Sequence, residues 1–127
     1  MRILADTNVF VRAIYKEKDY EKCAKLLSNP ELQIVASSMT FAEIFPIMRK
    51  FEDATNEAVA EIENIIGPNT VPTTKDLAKI AGNLLVKYKF GIADAIILAS
   101  ALLTGCDALA TTDSDFDSVD EIKILKF

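Results

Sequence analysis

Short apolar runs recur along the chain, and between them lie segments whose apolar residues repeat with the helical period. This alternation constrains the fold more than any other feature. Residues 1–5 (MRILA) read as a first strand, after which Val9, Phe10, Ala13 and Ile14 space as a helix face. Residues 33–36 (QIVA) read as a second strand, residues 70–72 as a very short edge strand, and residues 108–111 and 123–125 as the last two. Strands that alternate with helices imply an α/β fold: a largely parallel central sheet flanked by helices, with its binding crevice beyond the carboxyl ends of the strands. At 127 residues the chain is expected to form one domain spanning 1–127.

The helices carry readable boundaries. Asp19 is placed to cap a helix with Tyr20, Cys23, Ala24 and Leu27 on one face, before Asn29-Pro30 breaks it. Ser37 or Ser38 can cap the next, which Pro46 should kink or end, with a bend near Phe45. Ala58, Val59, Ile62, Ile65 and Ile66 form another face, stopped by Gly67-Pro68. Leu77, Ile80, Ala81, Leu84, Leu85 and Tyr88 define the clearest helix, and residues 92–104 the last.

Composition narrows the chemistry. There is no histidine, which removes the usual general base, the Ser-His and Cys-His nucleophile pairs and every imidazole zinc site. Catalysis must then rest on carboxylates, hydroxyls, lysines or metal. A net charge of −5 argues against broad electrostatic adhesion to nucleic acid. Cys23 and Cys106, far apart and outside any CxxC spacing, read as small buried thiols. Neither a signal peptide nor an uninterrupted apolar span is visible, so the expectation is a cytoplasmic protein without a membrane segment.

The stretch FGIADAIILASALLTGC, residues 90–106, has Asp94 as its one charge in seventeen positions. Its helical neighbours Ile97, Leu98 and Ala101 put that acid at the start of an apolar face. Glu43 is the single charge in residues 39–48, and Asp6 and Asp113 both fall at strand ends. Taken singly, each has an ordinary explanation as a helix cap, a first-turn acid or a solvated side chain. An EF-hand over LATTDSDFDS fails, because Ser118 stands where the loop needs glycine and Ile124 where it needs glutamate. Together the four acids converge on one edge of the sheet, where they would repel one another unless cations neutralised them. Such a cluster suits the hard divalent ions Mg²⁺ or Mn²⁺ and in-line displacement at a phosphodiester, with two ions typically about 3.5–4 Å apart.

LADTNVF, SSMTFAEI, GIADAIILASALLTGC and LATTDSDF, in this order and spacing, resemble the PIN domain, and the chain length resembles its VapC-like toxin ribonucleases. The resemblance spans the whole chain and implies a PIN-like, three-layer α/β/α fold. It also implies a Mg²⁺- or Mn²⁺-dependent endoribonuclease acting on single-stranded or loop RNA, often a homodimer, held inactive by a small antitoxin of a toxin-antitoxin pair. Carried over residue by residue, Asp6, Glu43, Asp94 and Asp113 match the acidic quartet that is catalytic and binds metal. Asp115 matches an extra acid at the metal site, and Asn8 and Thr111 match polar positions that support the acids.

The acidity of the chain meets two answers: bound metal reverses the sign of the pocket, and Arg12, Lys16, Lys18, Lys22 and Lys25 form a basic segment beside it. Arg49 and Lys50, or Lys87 and Lys89, could serve as well. Phe41, Phe45, Ile47 and Met48 offer either core side chains or a groove for an amphipathic partner helix. Two other readings remain open: a PIN-like module that binds RNA or protein without cutting, and a phosphoryl-transfer receiver. The receiver lacks the paired acids expected before such a site, and acetyl phosphate would test it.

Overall fold

The computed structural model describes residues 1–51 and 54–127. Strands β1 (Arg2–Ala5), β2 (Gln33–Ser37), β3 (Thr70–Val71), β4 (Ala108–Thr111) and β5 (Lys123–Lys126) form a sheet in the order β3-β2-β1-β4-β5. Every pairing is parallel: Ile3 faces Ile34 on one side and Ala108 on the other, while Thr111 faces Lys126. The expected largely parallel α/β sheet is therefore present, edge strand β3 included. Helices α1 (Thr7–Tyr15), α2 (Tyr20–Leu27), α3 (Ser38–Met48), α4 (Thr55–Ile66), α5 (Lys75–Lys87) and α6 (Ile92–Leu103) flank it.

Strand periodicity divides the core in two. Ile3, Ala5, Ile34, Ala36, Ala108 and Ala110 point to one face and pack on Val9, Phe10, Ile44, Met48, Ala58, Ile62 and Ile66. Leu4, Val35 and Leu109 point to the other and meet Leu77, Ala81, Leu84, Ile97, Leu98, Ala101 and Phe116. Both faces of the central strands are covered, which is why these strands read as continuous apolar runs. Each fully buried Leu or Ile stabilises by roughly 1.5–3 kcal/mol relative to exposure. The two layers thus hold β1 and β4 rigidly, and with them whatever follows their carboxyl ends.

Local chemistry explains most boundaries. Ser37 caps α3, its Oγ accepting from the Met39 N–H at 3.1 Å, and Thr74 caps α5 in the same way through the Leu77 N–H at 3.2 Å. Asp19 stands at the start of α2 as expected, but in a left-handed conformation (φ 60°) without a side-chain cap. Pro46 does not end α3, which runs on to Met48 and tightens into a 3-10 turn, Arg49–Phe51. Lacking an N–H, it forgoes only one helical bond near the carboxyl end. Met48 is fully buried and Phe41 and Ile47 pack partly against the core, so of the groove expected there only Phe45 is substantially exposed. Cys23 and Cys106 are both free thiols. Among the described residues no helix is long and apolar enough to cross a membrane.

Candidate active site

The chain leaves β1 toward β2 and β3, then returns to the opposite side of β1 to form β4. The crevice between the carboxyl ends of β1 and β4 is therefore the switch point of the sheet, where open α/β sheets bind ligands. Asp6 follows β1 immediately and caps α1, its Oδ1 accepting from the Thr7 N–H at 2.8 Å. Its Oδ2 accepts from the Thr111 hydroxyl at 2.8 Å, and the oxygen of that hydroxyl accepts from the Asp113 N–H at 3.0 Å. Thr111 thus joins the ends of β1 and β4.

Asp113 opens a short 3-10 turn, Ser114–Phe116, and its Oδ1 accepts from the Asp115 N–H at 2.9 Å. Asp94 lies in the first turn of α6 and is half-buried. One carboxylate oxygen from each of Asp94, Asp113 and Asp115 falls within 4.8 Å of the other two. Phe116, fully buried, anchors the turn, and its ring meets Phe90 at 5.3 Å, with Phe90 stacked in turn on Tyr88 at 5.0 Å. Lys87 reaches Asp120 at 3.2 Å and Glu121 at 3.1 Å, while the Tyr88 hydroxyl also bonds Glu121. These exposed ion pairs contribute little each. The aromatic contacts carry the coupling between the start of α6 and the 3-10 turn.

Glu43 comes from the middle of α3 and stands apart from the close trio. The Thr7 hydroxyl donates to its Oε1 at 2.7 Å and lies 3.0 Å from the hydroxyl of buried Thr40. Thr7 and Thr40 are side chains bonded to this part of the candidate site that the sequence did not single out. A signal was available in the D-T-N run, but the partner of Thr7 lies 36 residues away and only the packing of α3 reveals it. Asn8 faces outward and lines a small polar cavity beside the acids with Arg12, Glu17, Lys18 and Thr112.

The electrostatics are those of crowded carboxylates. Burial pushes the Asp6 carboxyl up to about 6, against its hydrogen bonds to Thr111 and Thr7, with Glu43 and Asp113 adding repulsion. Burial, then repulsion from Asp113, Asp6, Glu43 and Asp115, pushes Asp94 up to about 7. Glu43 and Asp113 therefore act on both Asp6 and Asp94, and Asp6 and Asp115 act on Asp94 as well. A donor set made only of carboxylate oxygen suits a hard divalent cation, which would relieve that repulsion directly.

The PIN domain family matches residues 3–122. Against curated proteins the chain has no match. Among solved structures it is similar to a toxin-antitoxin complex from Klebsiella pneumoniae, at 26% identity over 94% of this chain and 94% of that one, with a TM-score of 0.71. It is similar in fold to VapBC2 from Rickettsia felis bound to a DNA fragment from their promoter, at 19% identity, 100% and 99% coverage and a TM-score of 0.74. VapC20 from Mycobacterium tuberculosis, described as a sarcin-ricin loop cleaving toxin, shares the fold at 18% identity, 95% and 98% coverage and a TM-score of 0.69.

Proposed function

Because the chain belongs to the PIN domain family, we propose that it is a Mg²⁺- or Mn²⁺-dependent endoribonuclease, the toxin of a toxin-antitoxin pair. The observation that carries the reading is the meeting of Asp94, Asp113 and Asp115 within 4.8 Å at the sheet switch point. Asp6 lies on the same edge, and its charge acts on Asp94. Asp94, Asp113, Asp115 and Asp6 would hold the cation. When bound, a divalent ion supplies charge stabilisation at the phosphate oxygens and activation of water.

The rest falls to the chain itself. Asp6 is fixed by a hydrogen bond to each of its oxygens, and each oxygen keeps a second lone pair with which it would bind a cation. Thr7 donates to one oxygen of Glu43, which leaves the second oxygen to orient a water for in-line attack. Asp94 protonates near neutrality when no cation is present, which makes cation loading compete with protons. The Phe90–Phe116 contact packs the segment before α6 against the turn that carries Asp113 and Asp115.

The solved complexes of toxins with antitoxins support a protein partner. A groove of about 560 Å³ between α1, α2 and α4 is lined by Ala13, Ile14, Leu27 and Ile65, with Glu57 and Glu61 on its rim. It suits an amphipathic helix with basic residues at its margin better than the region around Phe45 does. Exposed Val86 and Ile92 support a homodimer, and the absence of a spanning helix among the described residues fits a cytoplasmic enzyme.

The test is cleavage of end-labelled single-stranded RNA in Mg²⁺, Mn²⁺ or chelator, with DNA of the same sequence alongside. Internal cuts are expected in RNA with either metal and none in chelator. Asp6→Asn, Glu43→Gln, Asp94→Asn and Asp113→Asn should each lose cleavage and keep the native circular dichroism spectrum. Full activity in chelator, or in Asp94→Asn, would sink the catalytic reading. RNA binding without cleavage by the wild type would instead establish the non-catalytic module.

A further inference from the structure

Beside the acids lies a cavity of opposite character. Asn8 and Arg12, four residues apart on α1, share one face, and with Lys18, Glu17 and Thr112 they line a space of about 280 Å³. Thr112 sits between Thr111, which bonds Asp6, and Asp113, so the cavity and the acidic cluster share a wall. Asn8 is likewise two residues from Asp6 at the start of the same helix.

Lys18 reaches this space through an unusual connection. Lys16 closes α1 in a left-handed conformation (φ 50°), and the Glu17 N–H folds back on the Arg12 carbonyl at 3.1 Å. Asp19 is left-handed too (φ 60°). The chain turns at the end of α1, and Lys18, though exposed, lines the same cavity as Arg12. Among the described residues neither Arg12 nor Lys18 makes an ion pair; Arg12 Nη1 only touches the Phe127 carbonyl at 3.5 Å.

The cavity therefore presents a guanidinium, an ammonium, an amide and a hydroxyl, all able to donate to phosphate oxygens. Glu17 offsets one of the two positive charges. The net single charge matches one phosphodiester, and the volume exceeds the roughly 30 Å³ of a water several-fold.

We infer that Asn8, Arg12, Lys18 and Thr112 form a subsite for a backbone phosphate of single-stranded RNA next to the bond placed at the acidic cluster. The inference rests on the nuclease reading for the identity of the nucleic acid. It explains how a chain of net charge −5 engages a polyanion: a local pair of unpaired cations sits against the crevice and fixes the register of the strand. Contacts of this kind position the strand without reading its sequence.

The test is fluorescence anisotropy of labelled single-stranded RNA across a sodium chloride series, with Ca²⁺ in place of Mg²⁺, on wild type, Arg12→Gln, Lys18→Gln and Lys123→Gln. Lys123 opens β5 opposite Ala108, at the far edge of the sheet, and serves as the control. Arg12→Gln and Lys18→Gln should each bind about 3- to 10-fold more weakly, with the slope of log affinity against log salt reduced by about 0.7 per lost contact. Lys123→Gln should match the wild type. In Mg²⁺ the two subsite variants should show a raised KM with kcat within about twofold of wild type. Lys18 is exposed and makes no contact with Phe127, so its variant tests the subsite even if Arg12→Gln folds poorly. Unchanged affinity and slope in Lys18→Gln, or an equal loss in Lys123→Gln, would overturn the subsite while leaving wild-type cleavage intact. Loss of binding in the subsite variants of a protein that never cuts RNA would leave the subsite standing and overturn the nuclease instead. A wild type that binds no RNA overturns both.

Discussion

Replacing Asp94 by Asn should stabilise the protein when no metal is present. Its carboxyl is held at about 7 rather than 3.8 by burial and by four neighbouring acids. A shift of that size corresponds at face value to about 4 kcal/mol. Asp94 is only half-buried, so solvent screening reduces this to roughly 1–2 kcal/mol. The sign follows from linkage. The folded state binds the Asp94 proton more tightly than the unfolded chain, so its stability falls as pH rises from about 4 through 7, and the whole penalty is present at pH 8. Asn carries no charge and escapes it. In chelator at pH 8 the variant should melt higher by several degrees, about 3–10 °C for a domain of this size. That advantage should shrink steadily between pH 7 and pH 4. Mg²⁺ should raise the melting temperature of the wild type by binding the folded state, and should raise that of the variant much less. Thermal unfolding followed by circular dichroism measures all of this. An Asp94→Asn protein no more stable than wild type at pH 8 in chelator would refute the reasoning, since neither burial nor the neighbouring acids would then be penalising the Asp94 charge.

Two further substitutions probe the scaffold of the site. Thr111→Val keeps the shape but removes the hydroxyl between Asp6 and the Asp113 N–H, and should cost about 1–3 kcal/mol in urea unfolding at pH 8 with an unchanged m-value; a loss under about 0.5 kcal/mol would mean water replaces the hydroxyl. Phe116→Ala empties a fully buried position behind the 3-10 turn and should cost about 3–5 kcal/mol, with a smaller thermal response to Mn²⁺ than wild type; an unchanged response would separate the turn from the metal site.

The sheet was legible because both faces of its central strands are buried, which leaves short continuous apolar runs bounded by turn and cap residues. The acids were legible for the converse reason: Asp94 and Glu43 interrupt apolar helix faces, and Asp6 and Asp113 stand where strands must end. What escaped were contacts that only packing creates. Thr7 to Glu43 spans 36 residues, and no local pattern marks it. Phe116 reads as one apolar residue in a polar loop, yet it is fully buried under α6. Phe41, Phe45, Ile47 and Met48 were ambiguous because an apolar helix gives no periodic clue to which side faces out. Met48 went to the core, and the exposed apolar groove formed instead where α1, α2 and α4 meet. Lys18 lines one cavity with Arg12 beyond the left-handed Lys16, a turn that no local pattern marks.

The central claim is that the acids at the carboxyl edge of the sheet act together as a cation site. Crystals grown in Mn²⁺ and measured at an energy where manganese scatters anomalously test it most directly. The expected result is an anomalous peak in the crevice between β1 and β4, coordinated by carboxylate oxygens of Asp94 and Asp113 and joined by Asp6 or Asp115, and lost in Asp94→Asn crystals. A crevice without a peak at saturating Mn²⁺, or a peak that persists unchanged in Asp94→Asn, would contradict the claim.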